Sequence, residues 1–332
     1  MHQAMLSVEK ALRQAKKVLL ATHINPDGDA VGSMFALARI AVRLGVEARV
    51  LLPAPLPDFL SWLTPPCPCV RDLAALDGWV PDLVLLADCG DAKRAGQELD
   101  AFFAGSKYPA QGWEQARTLN VDHHKSNPHY ADVNWVEHTR SATGELVGTL
   151  AEHLGFGLGG ELGEAVYLAL ASDTGNFTYS NTSASCLAMA SRIVDAGLDI
   201  ARFTQCYENV WTLARMHLWG RLLSEVSLHA GGAIACSIVP KRYLDEFALR
   251  KSDLEGFASW LRKIKGVRVG LFIREDAPNF CKISLRSMGD VDVQAVTVLH
   301  GGGGHASAAG AELNMAPEKA AEILVAQIAA CL

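Results

Sequence analysis

The stretch Val18-Leu19-Leu20-Ala21-Thr22-His23-Ile24-Asn25-Pro26-Asp27-Gly28-Asp29-Ala30-Val31 decides the fold class. Its apolar opening is a buried-type strand and its centre is a loop tightened by Pro26 and Gly28. Residues 30–44 then carry apolar side chains at helical spacing (Val31, Phe35, Leu37, Ile40, Leu44) until Gly45 stops them. Strand, polar loop and helix form the unit from which parallel sheets are built. Working outward, residues 49–52 read as the next strand, 82–87 as a buried-type strand ending at Asp88, and 117–121 as another ending in Asp122-His123-His124. The expected N-terminal domain is therefore α/β, with a parallel sheet and right-handed crossovers.

In such sheets ligands bind outside the carboxyl ends of the strands, so residues far apart in sequence meet there. His23, Asp27, Asp29, Asp88 and Asp122-His123-His124 all fall at those ends. Asp173 arrives differently, at the C-terminal end of a helix that has Leu162, Val166 and Leu170 on one face. The plain alternative for the first loop is an ordinary Asn25-Pro26-Asp27-Gly28 turn with Asp29 capping the next helix. Electrostatics favours a site. Four carboxylates gathered in a low-dielectric cleft repel one another, and two divalent cations neutralise them charge for charge. Oxygen ligands with a minority of imidazoles favour Mn²⁺ or Mg²⁺, with Fe²⁺ or Co²⁺ allowed, over a thiolate zinc site. A pair of such ions suits in-line displacement at phosphorus, so the expected substrate is a phosphoester.

Residues 196–220 read as a long helical stretch with Phe203, Tyr207 and Trp211 four apart, a row expected to pack between helices, and they serve as a linker between residues 1–195 and 221–332. Beyond it, 222–228, 233–239 and 267–274 read as strands, 241–247 and 252–263 as helices, and 317–331 as a terminal helix with Pro317 in its first turn. The expectation is a second, smaller α/β domain. Within it Lys282, Ser284 and Arg286 alternate with Ile283 and Leu285, which puts the polar three on one strand face. The run His300-Gly301-Gly302-Gly303-Gly304-His305 follows, and its glycines let backbone N–H groups come close to a phosphate. Arg286 would complete an anion pocket there. Residues 105–115 read as a surface insertion.

A formal charge of -6 over 332 residues argues against long duplex nucleic acid, whose binding is dominated by Lys and Arg contacts. The first seventeen residues carry Lys10, Arg13, Lys16 and Lys17 rather than a signal peptide's apolar core, and no uncharged apolar run reaches the ~18 residues of a membrane span, so the expected setting is cytoplasmic, with no membrane partner. Eight cysteines lie scattered without metal-finger or redox spacing and read as reduced, mostly buried side chains, with Cys89 beside Asp88 exposed to oxidation or stray metal.

These motifs, in this order, resemble the DHH-family phosphoesterases, in the branch of nano-RNases and pAp phosphatases: THINPDGDAVGS at 22–33, LLADCGD at 85–91, VDHHKSN at 121–127, SDTGNF at 172–177, SLRS at 284–287 and GGGGHASAAG at 301–310. The resemblance implies His23, Asp27 and Asp88 on one metal and Asp29, Asp88, His123 and Asp173 on the other, with Asp88 bridging. It implies substrate contacts by His124, Arg286, Gly301, Gly302, Gly303, Gly304 and His305, with Asp122 behind them; Asp88, Asp122 and His124 are then the catalytic candidates. The implied substrates are very short single-stranded RNA and 3'-phosphoadenosine 5'-phosphate (pAp), the implied cofactor is a pair of ions with Mn²⁺ first and Mg²⁺ or Co²⁺ allowed, and a homodimer is compatible. The competing readings are a linear or cyclic dinucleotide phosphodiesterase, a pyrophosphatase, a single-strand exonuclease, and a catalytically silent nucleotide-binding module.

Overall fold

In the computed structural model the apolar run becomes β1 (Lys17–Ala21), and the chain forms five further strands, β2 (Glu47–Leu51), β3 (Cys69–Val70), β4 (Leu83–Ala87), β5 (Arg117–Asp122) and β6 (Val133–Val136), which join β1 in one sheet. The structure describes residues 2–106, 112–208 and 211–332. All six strands run parallel, in the order β3-β2-β1-β4-β5-β6. The order reverses between β1 and β4, which opens a crevice at their carboxyl ends. Asp88 follows β4 directly, and His23 lies two residues past the end of β1.

The helices of this unit are α1 (His2–Gln14), α2 (Gly28–Arg43), α3 (Gln97–Phe103), α4 (Thr143–His153), α5 (Gly160–Asp173), α6 (Ala184–Asp195) and α7 (Ile200–Tyr207). α2 is buried on every side from Gly28 through Ala41, because the sheet lies beneath it and α4 and α5 lie against it. Glycine makes that packing possible. A Cβ at Gly32 would lie 2.4 Å from the Ala165 carbonyl oxygen, and one at Gly144 would lie 2.2 Å from the Ala169 Cβ. The close approach carries the start of α2, the start of α4 and the end of α5 to one place.

The chain divides into two compact units, Met1–Val210 and Trp211–Leu332. The second begins with α8 (Leu213–Ser224) and holds β7 (Ser227–His229), β8 (Ile234–Val239), β9 (Val269–Ala277), β10 (Phe280–Ser287), β11 (Gly303–His305) and β12 (Ala308–Leu313), with α9 (Lys241–Glu246), α10 (Phe257–Leu261), α11 (Val293–Val298) and α12 (Pro317–Ala329). Its sheet has the order β11-β12-β10-β9-β8-β7 and is antiparallel except for the β8–β9 pair. Ile283, Leu285 and Ile273 face Leu324 and Ile328 of α12 in one apolar core, and Phe272 packs with Phe257 and Trp219 in another.

Three readings of the second half need correction. Residues 222–228 are not a strand: α8 runs through Ser224 because Leu218, Trp219 and Leu222 bury along its inner face, and extended backbone starts only at Ser227. Residues 252–263 are not one helix: Gly256, at φ +87°, separates a short 3-10 turn (Lys251–Leu254) from α10. The aromatic row is split between the units. Phe203 and Tyr207 pack on Trp62, Tyr167 and Phe59, whereas Trp211 packs on Trp219 at 4.4 Å. In the expected insertion, residues 107–111 lie outside the described residues, and Trp113 just after them is buried against Phe102.

Candidate metal centre

Each ligand candidate is presented by a backbone feature that the local sequence dictates. Pro26 and Asn25 (φ +57°) turn the chain after β1, and Asp27 takes the extended backbone of a helix cap, its carboxylate accepting from the Ala30 N–H at 3.0 Å. The cap is thus Asp27, not Asp29. Asp29 lies two residues further on, in the first turn of α2, and is fully buried, its carboxylate accepting from the Ser33 hydroxyl (2.8 Å) and from the N–H groups of Thr143 (2.7 Å) and Gly144 (3.0 Å) at the start of α4. A helix N-terminus holding a carboxylate is electrostatically favourable.

Asp88 follows β4 with φ +50°, a left-handed conformation that is costly for a residue with a Cβ and is retained where the surroundings over-determine it. Its N–H donates to the Val121 carbonyl at 2.9 Å and its carboxylate accepts from the Thr143 hydroxyl at 2.9 Å, so both ends of the residue are held. Thr143 therefore serves two of the acidic groups at once.

The imidazoles are oriented from behind. His123 Nδ1 bonds to the Arg140 carbonyl and His23 Nδ1 to the Ile24 carbonyl, each at 3.1 Å, which points both Nε2 atoms into the cluster. There they meet carboxylates without bonding to them. His123 Nε2 lies 3.5 Å from Asp173 Oδ2, 3.7 Å from Asp29 Oδ2 and 3.8 Å from Asp88 Oδ1, and His23 Nε2 lies 3.9 Å from Asp88 Oδ2. Hydrogen bonds are shorter than this. Two ligands on one ion, each about 2.1 Å from it and roughly 90 to 120° apart, stand about 3.0 to 3.7 Å from each other, which is close to the spacing seen. His23 Nε2 is buried with no hydrogen-bond partner among the described residues. A buried polar atom facing carboxylates without a hydrogen bond fits a metal-ligand atom.

Charge gives the same answer. Burial pushes the Asp29 carboxyl well above its usual range, and the charges of Asp88, Asp173 and Asp27 push it further. Asp88 is raised by burial and then by Asp27, and Asp173 is pushed up to about 7, chiefly by burial. Without cations the cluster strains against its own charge; divalent ions remove the strain. His23, Asp27 and Asp88 form one group able to hold a metal, Asp29, His123 and Asp173 a second, and Asp88, His123 and His124 a third.

Asp122 and His124 stand beside these groups. His124 Nδ1 is 2.7 Å from Asp122 Oδ1, and Asp122 Oδ2 accepts from the Asn127 amide at 2.6 Å. Burial would raise the Asp122 carboxyl, yet those two bonds hold it below its usual range, and burial would lower His124, yet Asp122 and Asp88 raise it to about 9. Cys89 is buried, its thiol donates to the Asp91 carbonyl at 3.1 Å, and burial pushes it up to about 12, which disfavours the thiolate. Of the eight free cysteines four are buried, and Cys69 and Cys331 are exposed.

In the second unit Lys282, Ser284 and Arg286 do share the β10 face opposite the buried Ile283 and Leu285, and Arg286 Nη1 donates to the Leu285 carbonyl at 2.9 Å. The glycine run is used more narrowly than expected. A Cβ at Gly302 or Gly304 would lie 2.3 or 2.4 Å from a backbone oxygen of β12, so these two serve the β11–β12 hairpin, whereas Gly301 and Gly303 face open space. The His305 side chain lies outside what the structure describes. Sequence reasoning missed Thr143, Gly144, Ser33 and Asn127, which carry the hydrogen bonds to the acidic groups; Ser141-Ala142-Thr143-Gly144-Glu145, read as a helix start, was the available signal.

Comparison with known proteins agrees with this architecture. The model of the DHH family, N-terminal domain, matches residues 17–173, and the model of the DHHA1 domain matches residues 232–332. The chain is 30% identical over 305 residues to a Thermus thermophilus protein named bifunctional oligoribonuclease and PAP phosphatase NrnA, covering 89% of this chain and 84% of that one. A Bacillus subtilis protein of the same name is 26% identical, with 89% of each chain covered. The crystal structure of an exopolyphosphatase-related protein from Bacteroides fragilis, 25% identical, superposes with a TM-score of 0.88 over 99% of this chain and 96% of that one. Matching family models over both units and a 30% identical relative covered over most of its length place the chain in the DHH family, an N-terminal DHH domain followed by a DHHA1 domain.

Proposed function

We propose that this protein is a divalent-metal-dependent phosphoesterase that hydrolyses very short RNA to mononucleotides and removes the 3'-phosphate of pAp. The observation that carries the reading is the set of gaps of 3.5 to 3.9 Å between inward-pointing imidazole nitrogens and buried carboxylates, with His23 Nε2 orphaned among them. The two relatives named for both activities support the choice of substrates.

His23, Asp27 and Asp88 would hold one ion, Asp29, Asp88, His123 and Asp173 the other, and the oxygen-rich donor set suits Mn²⁺ ahead of Mg²⁺ or Co²⁺. When bound, the ion pair supplies an activated water and neutralises charge at phosphorus. The chain's own groups do the rest. Asp122 fixes His124 by its Nδ1, which leaves the Nε2 edge to donate to a phosphoryl oxygen. Thr143 keeps Asp29 and Asp88 in place. Arg286 and the open backbone at Gly301 and Gly303 take a second, non-scissile phosphate. No helix among the described residues is long and apolar enough to cross a membrane, and the unpaired cysteines suit a reducing cytoplasm.

The test is a Mn²⁺-dependent assay of the purified protein against labelled RNAs of graded length, pAp, pApA and pyrophosphate. Release of mononucleotide from the shortest RNAs and of phosphate from pAp is expected, with EDTA abolishing both. Turnover of pyrophosphate alone, or equal efficiency on long single strands, would reject the reading.

A further inference from the structure

We propose that Arg94 is a second cationic arm of the active centre, gripping the scissile phosphate together with His124; the inference deepens the phosphoesterase reading and rests on it. Arg94 lies in a 3-10 turn (Ala92–Ala95) that begins four residues after Asp88, with the Asp91 side chain capping it by accepting from the Lys93 N–H at 3.0 Å. Its carbonyl accepts from the Ile24 N–H at 2.7 Å, which ties the turn to the loop bearing His23 and Asp27. Gly90 lets the turn pass close to His124, since a Cβ there would lie 3.0 Å from the His124 Cβ. The backbone is therefore built into the centre, and the side chain is exposed.

What that side chain meets is the edge of an imidazole rather than a carboxylate. Its one polar partner among the described residues is His124 Nε2, at 3.5 Å. A guanidinium only donates, and His124 is already oriented through Nδ1 by Asp122, so Arg94 is not needed to place the ring. No carboxylate among the described residues forms an ion pair with Arg94, in contrast with Arg39, Arg192 and Arg202 on the same unit. An exposed guanidinium with no carboxylate ion pair among the described residues, set against the Nε2 edge of His124 beside the acidic cluster, fits an anion with adjacent oxygens, and its fork matches a phosphoryl group. Arg94 and His124 then bind the two non-bridging oxygens of the phosphate under attack. Arg286, on the second unit, has a different target.

The experiment compares wild type with Arg94→Ala, Arg94→Lys and Arg94→Gln, each loaded with Mn²⁺, on bis-p-nitrophenyl phosphate, which has one phosphate, and on pApA. Arg94→Ala and Arg94→Gln should lose about 10- to 100-fold in kcat/KM on both substrates, the loss of a charged hydrogen bond. Arg94→Lys should recover part of it, and guanidinium added to the buffer should raise the Arg94→Ala rate, with Tm and Mn²⁺ affinity as in wild type. If wild type cleaves both substrates and Arg94→Ala matches it, the inference falls while the phosphoesterase reading stands. A loss confined to pApA would put Arg94 on another phosphate, and a loss tracking Mn²⁺ affinity or Tm would make it structural; either overturns the inference. Inactivity of wild type on every phosphoester would reject the reading beneath it.

Discussion

The two units handle charge in opposite ways. The first buries acids: Asp29, Asp88 and Asp122 are at most 2% exposed, Asp29 and Asp88 held by hydrogen bonds from Thr143, distant in sequence, and Asp122 by its near neighbours His124 and Asn127. The second displays bases, with exposed Lys282 and half-buried Arg286 on the face of β10 opposite the buried Ile283 and Leu285. Buried charge is tolerable only with a partner, so the first unit is organised around ions before any substrate arrives. Exposed charge costs nothing to keep. It acts when an anion comes, so substitutions in the first unit should change catalysis and those in the second should change binding.

The sharpest way to break that contrast is Asp88→Ala, which removes the carboxylate shared by two of the metal-binding groups. Turnover should fall by at least about 10³-fold, the scale of metal-supplied stabilisation, with the far-UV circular dichroism unchanged. Activity within a few-fold of wild type would end the two-metal assignment. Asp122→Asn should lie lower, at about 10- to 100-fold, because it disturbs His124 from behind rather than removing a ligand. Steady-state kinetics at saturating Mn²⁺ would separate the two.

Arg286 probes the other side of the comparison. Arg286→Lys should raise KM for a dinucleotide and Arg286→Ala should raise it further, by a factor equivalent to about 1.5 to 3 kcal/mol, while bis-p-nitrophenyl phosphate is cleaved as before. Equal losses on both substrates would place Arg286 at the scissile phosphate or in folding. The smallest effect is expected at Gly303, where a Cβ meets open space and φ is not positive. Gly303→Ala should leave Tm unchanged and raise KM a few-fold, because it crowds the backbone edge offered to a phosphate. Gly144→Ala, whose Cβ would collide with Ala169, should instead cost about 1 to 3 kcal/mol of stability.

The same contrast explains what could be read from the chain. His23, Asp27, Asp88 and the Asp122-His123-His124 run were legible because each lies at the end of an apolar strand or in the loop that follows it, and parallel-sheet topology collects strand ends. Asp173 was legible as the end of an apolar helix. Thr143, Asn127 and Arg94 were not, since a hydrogen-bond donor leaves no periodic mark and its partner is set only when separate elements pack. Strand versus helix failed at 222–228 because a short apolar run satisfies either pattern, and α8 took it by burying Leu222 beside Trp219. The steric need for glycine at 302 and 304 could not be read, because it depends on the register of the β11–β12 hairpin.

The central claim is that the acidic cluster of the first unit is built to be filled by divalent cations, and its most direct test is thermal melting across pH with EDTA and with Mn²⁺. Asp173, at about 7, and Asp29, raised well above its ordinary range, bind protons more tightly folded than unfolded. Their contribution to stability is therefore present at low pH and lost as pH rises from the unfolded carboxyl range, near about 4, through 7. Metal-free protein should lose Tm across that window, and Mn²⁺ should restore it, so that the gain in Tm from Mn²⁺ is small at pH 5 and large at pH 8. An equal gain at both pH values, or none at either, would contradict the account.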